Sequence, residues 1–300
     1  MGAWKWYFGN VLEGEAPECR HDKCKMIFTS GGKYYKYWRC GKCGKKHSVF
    51  KNTSLENSKI PLRKFLMIVL YYYIGISAAH ICELLGISEN TIHYWTSVIR
   101  VRCTSIWNKN QAVIGGPGRI VEIDEAVWRR RKYGRGKKKR QIWIFGAVER
   151  KPEGGAGKNF VMIVPNMKAE TLVPTMRDKI LPGTRIMSDE WKAYARLKDY
   201  GYAHDTVCHK REFKNKITHA CTNTVEGLWM NLRKFFPRTG CREKYLGDYL
   251  SMWLVRRNLQ IQFEELIKEI VFDLTEKENE LDESESEESD STESELESDI

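Results

Sequence analysis

Three hundred residues that are 42% hydrophobic and 12% aromatic can bury a substantial core, as one large domain or as two to three small ones of the usual ~100–200 residues, which excludes a wholly disordered chain. The formal net charge is +11, but residues 276–300 hold thirteen Asp or Glu against the single base Lys277, a net of −12, so residues 1–275 carry +23. A body that basic is expected to bind nucleic acid or another anionic surface.

The opening MGAWKWYFGN lacks the apolar core and cleavage signal of an exported protein. Nine cysteines, an odd number with paired local spacing, argue against a secreted disulfide framework and for a reducing compartment. Four of them form Cys19-x4-Cys24 and Cys40-x2-Cys43, within residues 15–50. That spacing is close to the two-knuckle pattern of a structural zinc ribbon, in which two tight turns each offer two thiolates and close a tetrahedron with no position for water. The intervening KMIFTSGGKYYKYWRC reads as a hairpin turning at Gly31-Gly32. The first knuckle is longer than the usual x2, so His21 in place of Cys19, and His47 in place of Cys43, stay open as ligands.

Residues 59–107 are helical in pattern. The run Phe65 to Ile76 is the longest apolar stretch at 12 residues, short of the ~18–20 that span a bilayer, and predicts a buried helix. In GISAAHICELLGISENTIHYWTSVIRVR, Ile81, Leu84 and Leu85, then Ile92, Trp95, Val98 and Ile99, recur at three and four residues and predict two short amphipathic helices. Gly86 as a C-cap and Ser88 as an N-cap separate them, which is helix-turn-helix grammar. In a pair that reads DNA, Glu89, Asn90, Thr91, His93 and Tyr94 would face the groove; helix pairs around a glycine turn also occur in proteins that never touch DNA. Gly115-Gly-Pro-Gly118 predicts a boundary before a mixed segment, 115–272.

That segment opens with RIVEIDEAVW, whose side chains alternate: Val121 and Ile123 to one face, Glu122 and Asp124 to the other. Glu125 therefore points to the opposite face from Asp124, which leaves its role open between taking part in the site and only shaping it. RQIWIFGAVER and NFVMIVP follow as strands. The connection between the first two, Arg129–Arg140, holds nine Lys or Arg in twelve residues. A helix from about Lys168 to Ile180, a strand TRIMS leading to Asp189, and a helix in TNTVEGLWMNLRKFFP come next. Val225, Leu228, Trp229, Leu232 and Phe236 line one face of that last helix, with Glu226 off it and Pro237 at its end.

Three meandering strands, a helix, a strand and a helix bearing the last acid is the order of a ribonuclease-H-like α/β (α+β) fold, which gathers such acids at one sheet edge. Converging carboxylates repel one another and are stable mainly around divalent cations. The structural alternatives are an edge-strand Asp124, Asp189 as a helix N-cap before EWKAYARL, and Glu226 in an Asn223-x-x-Glu226 capping box. Residues 273–300 are too charged and too poor in apolar side chains to repay ordering, and are predicted to be disordered. Ser284 and Ser294 there each have Glu three residues on, a pattern for an acidophilic kinase.

In order and spacing, YWRCGKCGKKHSVFKNTSLENSKIPL, GISAAHICELLGISENTIHYW, VEIDEAVWRRRKYGRG, QIWIFGAVER, SDEWKAY, THACTNTVEGLWMNLRK and YLSMWLVRRN resemble a DDE transposase of the Merlin superfamily and the related bacterial insertion-sequence transposases with the ISXO-type catalytic domain. The resemblance runs from about Cys19 to Asn258. It implies a catalytic and metal-binding triad of Asp124, Asp189 and Glu226, holding two Mg²⁺ (or Mn²⁺) ions. The implied reaction is cleavage at terminal inverted repeats and joining of the freed 3′-hydroxyls to target DNA. It also implies that the zinc ribbon, with Zn²⁺ on Cys19, Cys24, Cys40 and Cys43, and the helix-turn-helix, with Asn90, Thr91 and His93, bind those ends. Arg129, Arg130, Arg131, Lys132, Arg135, Lys137, Lys138, Lys139 and Arg140 would grip phosphates, their alternatives being a solvated hairpin or a nuclear-import signal. Two departures stand out. Relatives often place a His where this chain has Cys221, with His219 two residues earlier, and the basic residue seven after the Glu is Arg233 rather than Lys.

The expected partners are double-stranded DNA and, since two ends must be paired, a second copy or larger assembly, with no membrane; the expected location is the nucleus in a eukaryote or the cytoplasm and nucleoid in a bacterium, without secretion. The competing reading is a domesticated, catalytically silent zinc-ribbon and helix-turn-helix DNA-binding protein. An RNA-directed nuclease fits less well, because helix-turn-helix docking suits the major groove of duplex DNA.

Overall fold

The computed structural model describes residues 3, 6, 7, 11, 16–21, 23–30, 36–111, 113–129, 141–189, 192–207, 221–236, 241–259 and 261–272. The chain divides into two units, one of the described residues through Arg102 together with those from Ile261, the other beginning at Cys103. Among the described residues no helix is long and apolar enough to cross a membrane.

In the first unit, β1 (Ile27–Ser30), β2 (Lys36–Arg39) and β3 (Lys46–Ser48) form an antiparallel sheet, with Ile27 opposite Arg39 and Ser30 opposite Lys36. This register is that of the predicted hairpin; its predicted turn at Gly31-Gly32 lies outside the described residues. Trp38 is buried, with Phe28 edge-on at 5.8 Å.

Three helices follow, α1 (Leu62–Ile74), α2 (Ala78–Leu85) and α3 (Glu89–Lys109). The Ser77 hydroxyl accepts from the His80 N–H and the Ser88 hydroxyl from the Thr91 N–H, satisfying donors that each helix start leaves without a partner of its own. Gly86 ends α2 in the left-handed region at φ 56°, where a glycine is favoured. Phe65, Ile68, Ile81, Ile92 and Ile99 are fully buried, and Phe65 meets Trp95 edge-on at 4.9 Å.

Two helical expectations change. Leu84 is 63% exposed, because the inner stripe of α2 is defined by Ile81 and Leu85 and Leu84 falls outside it. α3 is not short but runs for 21 residues, since its buried stripe continues from Ile92, Trp95 and Ile99 through Cys103 and Ile106. The helix Phe263–Phe272 belongs to this first unit rather than to the mixed segment. Its last carbonyls, of Ile270 and Val271, accept from the Ser54 hydroxyl and N–H at 2.9 Å each.

Gly115–Gly118 lies inside the second unit rather than between the two. Ile114 and Gly115 form β4 (Ile114–Gly115), and the Gly116 N–H donates to Thr184 Oγ1 at 2.7 Å. The main sheet contains β5 (Ile120–Arg129), β6 (Ile142–Arg150) and β7 (Ala156–Val164) as an antiparallel meander. α4 (Ala169–Lys179) leads to β8 (Ile180–Leu181), which pairs in parallel with β4. β9 (Arg185–Asp189) then adds in parallel to the free side of β5, and β10 (Ala203–Val207) in parallel to β9, giving the order β10-β9-β5-β6-β7. β10 has no counterpart among the predicted strands.

α5 (Asn223–Phe235) packs on β5 and β6, and α6 (Leu246–Leu254) on β7. Beyond α6, a π-helical turn carries Asn258, whose carboxamide oxygen accepts from the Asn159 N–H and side chain while its NH₂ donates to the Asn159 carbonyl. That amide clasp fastens the end of the chain's second unit to β7.

Candidate active site

Asp124 lies in the middle of β5, opposite Gly146 across the ladder to β6. The missing side chain at Gly146 admits the Trp229 indole: a Cβ there would stand 2.5 Å from a ring carbon. The indole N–H donates to Asp124 Oδ2 at 2.8 Å. Trp229 follows Glu226 by three residues on α5, so one contact orients the Asp124 carboxylate and registers the helix that bears Glu226.

Asp189 arrives through strand pairing. Glu122 of β5 is opposite Met187 of β9 in parallel register, and two residues further along each strand stand Asp124 and Asp189, on the same face of strands ~4.8 Å apart. Burial pushes the Asp124 carboxyl up to about 6, the Trp229 N–H opposes the rise, and the charges of Asp189 and Glu226 add to it. The three acids thus share one electrostatic field. Their oxygens are not drawn into one tight knot: among the described residues, the one set of three or more His, Cys, Asp or Glu ligand atoms within 4.8 Å of one another is a cysteine set. Two divalent ions ~3.5–4 Å apart spread their ligands more widely than one ion does.

Glu125 belongs to this environment as well. It accepts a hydrogen bond from the Tyr194 hydroxyl, and burial, then Asp124 and Asp189, push its carboxyl up to about 8. Behind Asp189, the Ser188 hydroxyl donates to the Asp189 carbonyl at 2.7 Å and lies 2.8 Å from His204 Nε2, an imidazole that burial holds below its ordinary value.

The described residues bear on both capping alternatives. After Asp189 the described residues form two 3₁₀ turns, Lys192–Tyr194 and Leu197–Tyr200, rather than an α-helix. The N-cap of α5 is Thr222, with Asn223 the first helical residue, so no capping box starts at Asn223. Trp229 and Tyr194 are the contacts that sequence patterns do not single out; a glycine inside the apolar strand 142–150 is the signal that something approaches the backbone there.

In the first unit, Cys19, Cys40 and Cys43 bring their sulfurs within 4.8 Å of one another, with Cys19 Sγ 3.6 Å from Cys43 Sγ. Cys24 Sγ lies 3.3 Å from Cys40 Sγ. The Cys40 thiol is lowered to about 7, first by the backbone N–H of Cys43. His21 instead contacts the Lys45 ammonium, and His47 sits on β3 opposite Trp38.

Residues 110–258 match the model of the ISXO2-like transposase domain. That stretch, just under half of the chain, carries a domain of this transposase family. An uncharacterized transposase-like protein of Haemophilus influenzae is 25% identical over 95 residues, 31% of this chain and 76% of that protein. Male abnormal protein mab-31 of Caenorhabditis elegans is 28% identical over 127 residues, 37% of this chain but 29% of the nematode protein's length. A crystal structure of a pre-cleavage Mos1 transpososome aligns with 68% of this chain and 73% of its own at 7% identity and a TM-score of 0.28.

Of the expected DNA contacts, Asn90 and His93 are exposed at the start of α3, His93 Nε2 lying 3.1 Å from Glu89 Oε1. Thr91 is half-buried, its hydroxyl 2.8 Å from that of Ser88. Arg233 is exposed in the last turn of α5. Arg130, Arg131, Lys132, Arg135, Lys137, Lys138, Lys139 and Arg140 lie outside the described residues, as does the side chain of Arg129. The acidic segment 273–300 lies outside them too.

Proposed function

We propose that the chain is a DDE transposase that binds terminal inverted repeats in duplex DNA and uses Asp124, Asp189 and Glu226 to hold two Mg²⁺ (or Mn²⁺) ions for strand cleavage and transfer. The observation that carries this reading is geometric: Asp124 and Asp189 stand on the same face of paired strands, and the Trp229 contact to Asp124 registers the helix that bears Glu226. Carboxylates gathered in this way suit divalent cations that offset their repulsion. Bound there, the ions would activate the attacking oxygen and stabilise the leaving oxygen of a phosphodiester displacement.

The chain's own residues prepare that chemistry. Trp229 fixes one Asp124 oxygen, and Gly146 leaves room for it to do so. Glu226, Met230 and Arg233 are exposed at i, i+4 and i+7 of α5, which places a fixed positive charge two turns along the helix side that carries the last acid. The strand order supports a ribonuclease-H-like catalytic domain within 115–272: a meander of three, with two parallel strands added beside the first. The four sulfurs of Cys19, Cys24, Cys40 and Cys43 suit a structural Zn²⁺ in a ribbon spanning 15–50. The Gly86 turn and the capped start of α3 suit a helix-turn-helix within 59–107 that presents Asn90, Thr91 and His93 to the end sequences. Two copies or more would pair the two ends.

The test is Mn²⁺-dependent cleavage of duplexes that carry the inverted repeats flanking the coding sequence. Asp124→Asn, Asp189→Asn and Glu226→Gln are each expected to abolish cleavage and to retain DNA binding. Robust cutting by the triple variant would sink the assignment. Tight binding by a wild-type protein that never cuts would leave the silent DNA-binding reading.

A further inference from the structure

We infer that Glu122, with Arg150, is a positioning residue that indexes Glu226 to the strand carrying Asp124; the inference rests on the catalytic reading above and gives that site a further working part. Glu122 is fully buried, an expensive place for a carboxylate unless it is fully engaged. Its partners are specific. Oε1 accepts from Arg150 Nε at 2.5 Å, and Oε2 accepts from the backbone N–H groups of Thr224 and Val225 at 2.8 and 3.0 Å.

Those two amides belong to the first turn of α5, where a helix leaves N–H groups without intrahelical acceptors and where its dipole favours negative charge. A local Ser or Asp usually supplies the acceptor. Here Thr222, the N-cap, makes no side-chain cap bond, and the acceptor comes from a strand 102 residues away in the chain. Arg150, at the end of β6, extends the clamp by donating from one guanidinium nitrogen to both the carbonyl and the sulfur of Cys221 at 2.8 Å. Residues 221 to 225 are therefore held from two strands at once, and the next residue is Glu226.

The geometry serves position rather than stability alone. Glu122 and Asp124 share one face of β5, two residues apart. Glu122 holds the α5 backbone one and two residues before Glu226, and Asp124 takes the Trp229 N–H three residues after it. Glu226 thus sits between two pins on the same strand, neither of which uses its own carboxylate. Removing the first pin frees the helix start to shift or fray. Groups that orient metal-binding carboxylates in this way typically change metal affinity or activity by roughly 10- to 100-fold when lost.

The experiment uses the full chain and three proteins: wild type, Glu122→Ala and the isosteric Glu122→Gln, which keeps an oxygen acceptor if Glu122→Ala does not fold. Three quantities are read: amide hydrogen exchange of Thr224 and Val225, the Mn²⁺ concentration for half-maximal cleavage, and the cleavage rate at saturating Mn²⁺. Expected are faster exchange at those two amides, with the larger change in Glu122→Ala, and a half-saturating Mn²⁺ concentration raised by roughly 10- to 100-fold. Excess Mn²⁺ should restore most of the rate, and DNA affinity should be unchanged. A purely structural role would lower the melting temperature without moving the Mn²⁺ requirement, and that result would overturn the inference. Unchanged amide exchange in both variants would overturn it as well. A wild type without metal-dependent cleavage would instead bring down the catalytic reading, and the positioning role with it.

Discussion

Glu125 follows Asp124 in the chain, and strand alternation sends the two side chains to opposite faces, yet the Glu125 carboxyl is pushed up to about 8 by burial and by the charges of Asp124 and Asp189. Alternation describes where a side chain leaves the backbone; the reach of a glutamate and the position of Tyr194 decide where its charge ends. The sign of the consequence follows from linkage. A carboxyl whose folded value lies above its ordinary 4.5 binds its proton more tightly in the folded protein, so stability is highest below 4.5 and is lost as pH rises toward about 8. In metal-free protein, Glu125→Gln should abolish that loss while keeping an acceptor for the Tyr194 hydroxyl. At pH 9 the variant is expected to be more stable by on the order of 2 kcal/mol, or roughly 4–8 °C in Tm, and at pH 5 the two should converge. Asp124 retains its own fall, from 3.8 to about 6, in both proteins. Calorimetry in EDTA across that range checks the prediction, and parallel Tm profiles would refute it.

Which elements are legible from sequence depends on whether their signal is local. β5, β6, β7, α4 and α5 alternate or repeat along their own length, and with them the chain order that leads to Asp124, Asp189 and Glu226 could be read directly. β10 could not: AHDTV sets His204 and Asp205 in its middle, and its polar side chains are satisfied by Ser188 and Arg185 rather than by apolar burial. Nor could the roles of Glu122 and Trp229, because the contacts that join them across strand and helix span more than a hundred residues of chain. The cysteine cluster is legible by spacing for a physical reason that gives the next prediction. Its strands are three or four residues long, too short to hold a sheet without a cross-link. Zinc should therefore be a folding requirement of that element. The protein is expected to bind one Zn²⁺ per chain, and Cys40→Ser or strong chelation should lose it. Hydrogen exchange across Ile27–Ser48 should then rise to near-unprotected rates, while β5, β6 and β7 stay protected. Cys221→Ser, outside the cluster, should keep its zinc. Protection of the ribbon persisting after metal loss would show that zinc is dispensable there.

Charge is the property of the whole chain that no element reveals. Residues 1–275 carry +23 and residues 276–300 carry −12, so the acidic segment offsets about half of the field that would draw the protein to DNA. Nonspecific DNA binding depends on releasing counterions from phosphates, and its affinity falls steeply as salt rises. An acidic segment on the same chain competes with those phosphates for the same lysines and arginines, and it does so at a local concentration that dilution cannot lower. Removing residues 273–300 is therefore expected to tighten binding to random-sequence duplex by roughly an order of magnitude or more in 50 mM salt. The gain should shrink toward nothing as ionic strength approaches 1 M, where the Debye length is ~3 Å. Sequence-specific preference for the inverted repeats, expressed as the ratio of specific to nonspecific affinity, should fall in the truncated protein, because only the nonspecific term is governed wholly by charge. Fluorescence anisotropy over a salt series measures all three quantities. Equal nonspecific affinities at low salt would mean that the acidic segment does not compete for the DNA-binding surface.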